Sequence, residues 1–328
     1  MKIAVLAGGV SAERKVSLGS AACVARALGG SGHDVVVIDP GLGWRAIDPV
    51  SAPAEPAGPS CGLPGEEGLA QLQKVDVVFN TLHGGQGEDG TLNAVLELLS
   101  LPYTGGRPGA CAAAMNKVVS KQLFTAAGVP TPDYEVLTSS HRELWPGQIE
   151  AAAGRFGLPL IVKPAEEGST VGLSKVASRE ELAPAVEKAT ALSRQVLIER
   201  YIAGRELTVG ILAGRALPVL EVVVPGGFYD YQAKYLSHDN RYICPAQIEE
   251  ESARRAQCHA EAAFEVLGLE DYARIDFRLD PEGGLWCLEA NNQPGMTDSS
   301  LLPKAALVIG LDLTALLERI IKNALSRF

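Results

Sequence analysis

Several features are missing from the 328-residue sequence, and each absence narrows what the protein can be. It has no uninterrupted run of about 18 apolar residues, so no transmembrane helix is predicted. The N-terminus enters a strand-like segment at once and shows no signal-peptide pattern. The six cysteines are dispersed without a Cys-x-x-Cys pair, which favours reduced thiols in a cytoplasmic protein over disulfides or a zinc site.

A basic balance is also absent, since the net charge is −10. Nucleic acids and anionic membranes need a basic surface, so neither is predicted as a partner. The composition is that of a globular protein, with 47% hydrophobic and 21% charged residues. A chain of this length predicts two or three domains rather than one core.

The first hundred residues follow a β-loop-α-β order. A strand over residues 2–7 leads through a glycine-containing loop into an alanine-rich helix, and a second strand covers residues 35–39. This order predicts a parallel sheet covered by helices. A third strand over residues 75–80 precedes a glycine-rich turn, and a break near residues 103–106 ends the first domain.

The pattern changes beyond residue 105. Strands over residues 160–164 and 173–176 flank a Gly/Ser/Thr loop, whose backbone N–H groups can face phosphate oxygens. From about residue 196 the chain alternates as antiparallel strands do, and it ends in an amphipathic helix. The predicted domains are residues 1–104, 105–195 and 196–328.

The segment 273–301 is the most informative. Two β-prone runs flank the turn 280–284, which predicts a hairpin. Side chains alternate along a strand, so Asp276 and Glu289 are expected as cross-strand neighbours on one face. Two carboxylates beside an amide suit Mg²⁺, although a solvated face with a salt bridge from Arg274 fits the same pattern. The residues predicted to face the core are Ile275, Phe277, Trp286 and Leu288.

Seven separated motifs, in order along the chain, resemble those of the D-alanine–D-alanine ligases, which are ATP-grasp enzymes. They are residues 8–18, residues 83–90, Lys117 after Met-Asn, Lys163 with the loop 166–172, residues 197–206, residues 229–235, and the hairpin with its Pro-Gly-Met-Thr and Ser-Leu sequels. The resemblance implies an ATP-grasp fold, with an N-terminal α/β parallel-sheet domain and α+β organisation in the ATP-binding part.

The resemblance also implies residue roles. Glu13 would contact the ammonium of the first D-alanine, and Ser17 and Ser169 would support a catalytic Tyr235. The full catalytic set is Glu13, Ser17, Ser169, Tyr235, Arg274, Gly295 and Ser300. The substrate-binding set is Glu13, His83, Arg274, Gly295, Ser300 and Leu301. The ATP-binding set is Lys117, Lys163, Ser169, Thr170, Glu199, Ile202, Glu206 and Lys234. Asp276, Glu289 and Asn291 would hold two Mg²⁺ ions, which Mn²⁺ can replace.

The implied activity is ATP-dependent synthesis of D-alanyl-D-alanine for peptidoglycan precursors, by a cytoplasmic homodimer. A loop around residues 226–245 would close over the site, and its Lys234–Tyr235 pair favours an amine as second nucleophile. Alternatives are a ligase using D-serine, D-lactate or another amino acid, and an inactive nucleotide-binding regulator. The departures from the family pattern are Lys15, Glu166, Asp298 and Ser299.

Overall fold

The computed structural model describes residues 1–225 and 239–328 of the chain. Its α-helices are α1 (Arg14–Gly30), α2 (Glu66–Leu72), α3 (Thr91–Leu98), α4 (Pro108–Met115), α5 (Lys117–Ala126), α6 (Trp145–Phe156), α7 (Leu182–Thr190), α8 (Glu250–Val266), α9 (Leu301–Val308) and α10 (Leu313–Leu325). Its strands are β1 (Lys2–Leu6), β2 (Asp34–Asp39), β3 (Arg45–Ala46), β4 (Val77–Asn80), β5 (Tyr134–Thr138), β6 (Leu160–Pro164), β7 (Ser174–Val176), β8 (Gln195–Arg200), β9 (Arg205–Leu212), β10 (Arg215–Ala216), β11 (Leu220–Val223), β12 (Arg241–Ile243), β13 (Tyr272–Leu279) and β14 (Leu285–Asn291).

The first sheet has the order β3-β2-β1-β4. β1 runs parallel to β2 and β4, which confirms the predicted parallel sheet, and the short β3 adds an antiparallel edge. Alternate residues of β1 enter two separate cores, as a sheet covered on both faces requires. One core contains α1 together with Leu316, Leu317, Ile320 and Ile321 of α10. The last helix of the chain therefore packs on the first sheet.

The second sheet, β5-β8-β6-β7, is antiparallel. Leu160 and Val162 of β6 face a core shared with α6 and α7. Ile161 and Lys163 alternate with them and face the opposite side, where both line a cleft. β8 begins at the predicted boundary between the second and third domains, and it pairs with β5 and β6. The division into three domains stays a prediction.

The third sheet has the order β12-β11-β9-β13-β14, and β10 pairs with β9. One face packs on α4, α5 and α8 through buried residues such as Val209, Ile275 and Phe277. The other face carries Asp276 and its neighbour Thr208. Among the described residues, no helix is both long and apolar enough to cross a membrane.

Candidate active site

A cleft with about 810 Å³ of empty space, part of it open to solvent, is lined mainly by residues of the second and third sheets. Its walls include six of the residues predicted to bind ATP, and two of those predicted to bind metal. They are Lys117, Lys163, Thr170, Glu199, Ile202 and Glu206, with Asp276 and Glu289. Tyr201 and Arg278, which the sequence analysis did not single out, line the same cleft, and so does Leu288, which was predicted to face the core.

The hairpin of β13 and β14 pairs Asp276 with Glu289, so the predicted register is confirmed. The turn is closed by Asp280, whose Oδ1 accepts a 2.6 Å hydrogen bond from the Gly284 N–H. Arg274 lies two residues before Asp276 and shares its face. The hairpin thus presents a cation and two carboxylates side by side, on a rigid sheet face beside the cleft.

A β-bulge changes the far strand of this hairpin. The register shifts immediately after Asp276, which leaves Leu288 as the additional residue of β14. The prediction that Trp286 and Leu288 face the core was wrong, because strict alternation from Glu289 ignores that additional residue. Cys287 is the fully buried residue instead, and Leu288 lines the cleft.

The predicted metal ligands fit a magnesium site by their chemistry. Asp276 receives bonds of 2.9 Å from the Arg274 Nε, the Arg274 Nη2 and the Asn291 Nδ2. Glu289 Oε2 lies 3.7 Å from the Lys117 Nζ. In residues 1–225 and 239–328, no group of three or more His, Cys, Asp or Glu side chains is placed so that it could hold a metal ion by itself. Mg²⁺ is usually held by one or two carboxylates together with substrate phosphates, and this donor set matches that requirement.

Two buried lysines face the cleft. Lys117 is the first residue of α5, because Asn116 caps that helix, and its Nζ donates a 2.7 Å bond to the Glu167 carbonyl oxygen. Lys163 ends β6, and its Nζ lies 2.9 Å from the Glu199 Oε2. Both side chains are more than nine-tenths buried, so their charges act in a poorly solvated space.

The loop between β6 and β7 brings hydroxyl groups to the same region. Ser169 and Thr170 adopt left-handed backbone angles, with φ of +46° and +62°, which residues other than glycine rarely do. Such backbone conformations often occur at functional sites. Thr170 lines the cleft, and the Ser169 hydroxyl donates to Glu13. Glu166 is exposed and accepts a bond from Asn116, so this departure lies at the surface.

Three residues of the predicted ATP-binding set lie together at the end of β8 and the start of β9. Glu199 and Ile202 are buried in the cleft wall. Glu206 Oε2 lies 3.1 Å from the Arg278 Nη2. Arg278 occupies the same strand face as Asp276, two residues away, so period-two alternation along β13 was the signal that would have found it.

Glu13 lies at the N-terminus of α1 and is buried. Its carboxylate packs against the backbone of two glycines: a Cβ added at Gly84 or Gly168 would lie 2.9 or 2.8 Å from the Glu13 Oε2. Neither position has room for a side chain unless Glu13 moves. The hydroxyl of Ser17 accepts a 2.9 Å bond from the Gly8 N–H, which ties α1 to the loop after β1.

His83 is buried next to this carboxylate. Burial lowers the pKa of His83, the charge of Glu13 opposes that change, and the nearby Arg274 lowers the pKa further. The imidazole Nε2 is 3.4 Å from the Ser20 hydroxyl. Burial thus favours the neutral imidazole of His83, which lies between the first sheet and the hairpin.

The segment after β14 completes the site. Ser300 precedes α9, and its hydroxyl accepts a 3.0 Å bond from the Thr297 N–H. Leu301 is the first residue of α9, where backbone N–H groups suit a carboxylate. A Cβ at Gly295 would lie 2.9 Å from the Ser300 Oγ, so the chain passes closely there. Lys234 and Tyr235 belong to residues 226–238, which lie outside the described residues.

Two family models together match most of the chain. Residues 2–106 match the family model described as D-ala D-ala ligase N-terminus, and residues 123–322 match D-ala D-ala ligase C-terminus. A D-alanine–D-alanine ligase of Bordetella pertussis is 42% identical over 329 aligned positions, covering 98% of this chain and 95% of the relative.

This chain belongs to the D-alanine–D-alanine ligase family.

Solved structures of this family share the whole fold. The ATP complex of the Bacillus anthracis D-alanine–D-alanine ligase superposes with a TM-score of 0.79 at 28% identity, over 100% of this chain and 98% of that one. The VanG D-Ala:D-Ser ligase of Enterococcus faecalis gives 0.81 at 28% identity, over 98% and 99%. The expected ATP-grasp fold is confirmed.

Glu88 belongs to the His-Gly-x-x-Gly-Glu-Asp-Gly motif of the ligase family. Its Oε2 accepts a 2.9 Å bond from the Gly84 N–H, which fixes the turn. Burial, and after it the charge of Glu13, raise the pKa of Glu88 to about 7. The Glu88 carboxyl therefore binds its proton more tightly in the folded state than in the unfolded chain, where its pKa is the ordinary 4.5.

We expect Glu88→Gln to flatten part of the pH dependence of stability. Because the carboxyl pKa is raised in the folded state, the free energy of unfolding falls as pH rises from about 4.5 to about 7. The fall is at most about 1.4 kcal/mol for each unit of pH. Glutamine keeps an acceptor for Gly84 but has no proton to lose. Urea unfolding at pH 5 and pH 8 should show the variant gaining stability relative to wild type at the higher pH; parallel profiles would contradict the assignment.

Proposed function

We propose that this chain joins two D-alanine molecules to D-alanyl-D-alanine, consuming ATP through an acyl-phosphate intermediate. The observation that carries the proposal is one continuous site. The carboxylate–arginine face of the hairpin lines a cleft with Lys117 and Lys163, while Glu13 reaches the same loop through Ser169. The product would enter peptidoglycan precursor synthesis.

The first step is activation of a carboxylate. A carboxylate is a poor electrophile, so ATP must convert it to an acyl phosphate before an amine can attack. Lys117, Lys163 and Lys234 would neutralise the negative charge that spreads over the transferring phosphoryl group. Thr170 and the left-handed backbone of its loop would contact phosphate oxygens, while Glu199, Ile202 and Glu206 would hold adenine and ribose.

The second step is attack by an amine. Glu13 would anchor the ammonium of the first D-alanine beside His83, and the carboxylate of the second would meet Ser300 and the N–H of Leu301. The attack places negative charge on the former carboxyl oxygen. Arg274 and the N–H of Gly295 would donate to that oxyanion, in a site whose donors are fixed before the reaction. Phosphate then leaves.

Asp276, Glu289 and Asn291 would hold Mg²⁺, two ions in all, and Mn²⁺ could take their place. A divalent cation supplies electrostatic stabilisation of phosphate charge and a template for the phosphates. We also propose that the enzyme works in the cytoplasm as a homodimer. The three-domain division is part of the proposal, with the first domain on the amino-acid side and the other two around ATP.

A different second substrate is the main alternative, motivated by Asp298 and Ser299 beside the Ser300–Leu301 pair. Asp298 is exposed, and its carboxylate lies 3.6 Å from the equally exposed Arg26. Ser299 Oγ is 3.0 Å from the Thr297 hydroxyl. The same Thr297 hydroxyl is 2.8 Å from the Ser300 Oγ, so Ser299 supports the hydroxyl of Ser300 through Thr297, and D-alanine remains the proposed second substrate.

A substrate panel tests the proposal directly. With purified enzyme, ATP and Mg²⁺, phosphate release should be fastest with D-alanine alone and slow with L-alanine. In equimolar competition at pH 7–8, D-alanine should exceed D-lactate as second substrate by at least about tenfold, which corresponds to about 1.4 kcal/mol in barrier height. The physical reason is that a neutral amine is a far stronger nucleophile than a hydroxyl.

The products distinguish the alternatives. Dipeptide containing serine as the major product would replace D-alanine by D-serine, and depsipeptide would replace it by D-lactate. Nucleotide binding without phosphate release in any mixture would indicate a regulator instead of an enzyme.

A further inference from the structure

Lys121 is a completely buried lysine that no step of the proposed reaction uses. It lies on α5, one turn after Lys117, and its side chain has no exposed surface. Its Nζ is 3.2 Å from the Glu199 Oε2, and it donates a 2.6 Å bond to the Thr131 hydroxyl. Burying an ammonium group is costly, so a lysine in this position calls for a specific reason.

A second ammonium approaches the same carboxylate oxygen. Lys163 Nζ is 2.9 Å from the Glu199 Oε2, and Lys163 lines the cleft. Lys121 does not line it. One carboxylate is therefore shared by a lysine that ATP can reach and a lysine that it cannot. Although burial of Glu199 opposes ionisation, the two lysines hold its pKa below the ordinary value.

We propose that Lys121 is a positioning residue, which acts as a counter-ion of Glu199 and so leaves Lys163 available to the phosphates of ATP. The inference rests on the proposed placement of those phosphates at Lys163. Lys121 and Lys163 both contact the Glu199 Oε2, so without Lys121 the ammonium of this pair that remains beside Glu199 is that of Lys163. Moving Lys163 towards a phosphate would then leave a buried carboxylate uncompensated, which is strongly unfavourable.

Lys121 also connects the two sheets that line the cleft. The Thr131 hydroxyl that accepts from Lys121 donates a 2.8 Å bond to the Cys287 carbonyl oxygen on β14. The Cys287 N–H in turn donates a 2.7 Å bond to the Pro130 carbonyl oxygen. The lysine therefore lies at a junction between Glu199 on β8 and the strand that carries Glu289.

The test compares ADP with adenosine, using isothermal titration calorimetry on the full chain. Lys121→Met should weaken ADP binding by about ten- to a hundredfold, the usual range for losing a charge-assisted contact. Adenosine has no phosphate, so its binding should change little. KM for ATP should rise accordingly, with a smaller change in kcat at saturating ATP.

The second-site change separates this role from simple packing. Adding Glu199→Gln to Lys121→Met removes the charge that needed compensation, so ADP affinity should recover relative to the single variant. Thr131→Val is the matched control, because it removes one partner of Lys121 and leaves the ion pair. It is expected to change stability and to leave the ratio of ADP to adenosine affinity unchanged.

The outcomes are distinct. Equal losses of ADP and adenosine affinity in Lys121→Met, or a double variant that binds ADP no better, would overturn the inference. If Lys121→Met does not fold, the Glu199→Gln variant is compared with the double variant. ADP binding that is weaker in the double variant than in Glu199→Gln would overturn the inference. Wild-type enzyme that binds no ADP would instead overturn the proposed ATP cleft.

Discussion

Replacing Arg274 by methionine should lower kcat for dipeptide synthesis by about 10²–10³-fold, the usual cost of removing one oxyanion donor. Arg274 lies on the open face of β13, and both its Nε and its Nη2 bond to Asp276 at 2.9 Å. Its guanidinium is therefore held in place before substrate arrives. Steady-state assays with saturating ATP and D-alanine measure the effect.

Arg205 provides the matched control for Arg274. It lies on β9 in the same sheet and makes bonds of 2.7 and 2.6 Å to Glu221. Arg205→Met loses a comparable two-bond pair without touching the proposed oxyanion site. It should keep most of its turnover, and an equal loss in both variants would show that sheet integrity, not charge stabilisation, explains the result for Arg274.

Asp276→Asn should reduce turnover by more than about 100-fold, since even the partners of metal ligands contribute about 10–100-fold. The change removes a negative charge from the proposed metal face and also loosens Arg274, which Asp276 holds. Titration of activity against Mg²⁺ should shift to higher concentrations, and the circular-dichroism spectrum should stay that of the wild type. Turnover near wild type at ordinary Mg²⁺ would contradict the metal assignment.

Asp280→Asn is the control within the same hairpin. The Asp280 carboxylate accepts from the Gly284 N–H and from the Trp286 indole, at 2.6 and 2.7 Å, so it stabilises the turn. Its substitution should lower thermal stability while leaving the Mg²⁺ dependence of turnover unchanged. A shifted Mg²⁺ dependence in both variants would point to hairpin geometry as the cause.

Local pattern was enough to predict much of this molecule. Alternation and turn residues predicted the hairpin and the pairing of Asp276 with Glu289, because both depend on neighbours within about 20 positions of the chain. The bulge was not predictable in the same way. An additional residue in one strand leaves no mark in composition, and it moved Leu288 from the expected core to the cleft wall.

The burial and charge of several site residues could not be predicted, because they depend on residues that are distant in the sequence. A lysine on a helix is normally exposed, and the sequence gives no sign that Lys121 is buried. In the structure it is buried because Glu199 and Thr131 lie against its ammonium group. Glu88 accepts from the Gly84 N–H and so fixes a turn, but its pKa is raised first by burial and then by the charge of Glu13, which lies 75 positions earlier in the sequence. Motif matching located the individual side chains, whereas their shared electrostatics required coordinates.

The packing of α10 on the first sheet bears on how the polypeptide acquires its structure during synthesis. Leu316, Leu317, Ile320 and Ile321 complete the core around α1, yet roughly 200 residues separate them from the end of the N-terminal family match. At typical elongation rates the ribosome needs roughly 10 to 40 s to make that interval. During this time α10 is not yet available to cover the apolar face of the first sheet. We expect chaperones to bind that face until the final helix emerges.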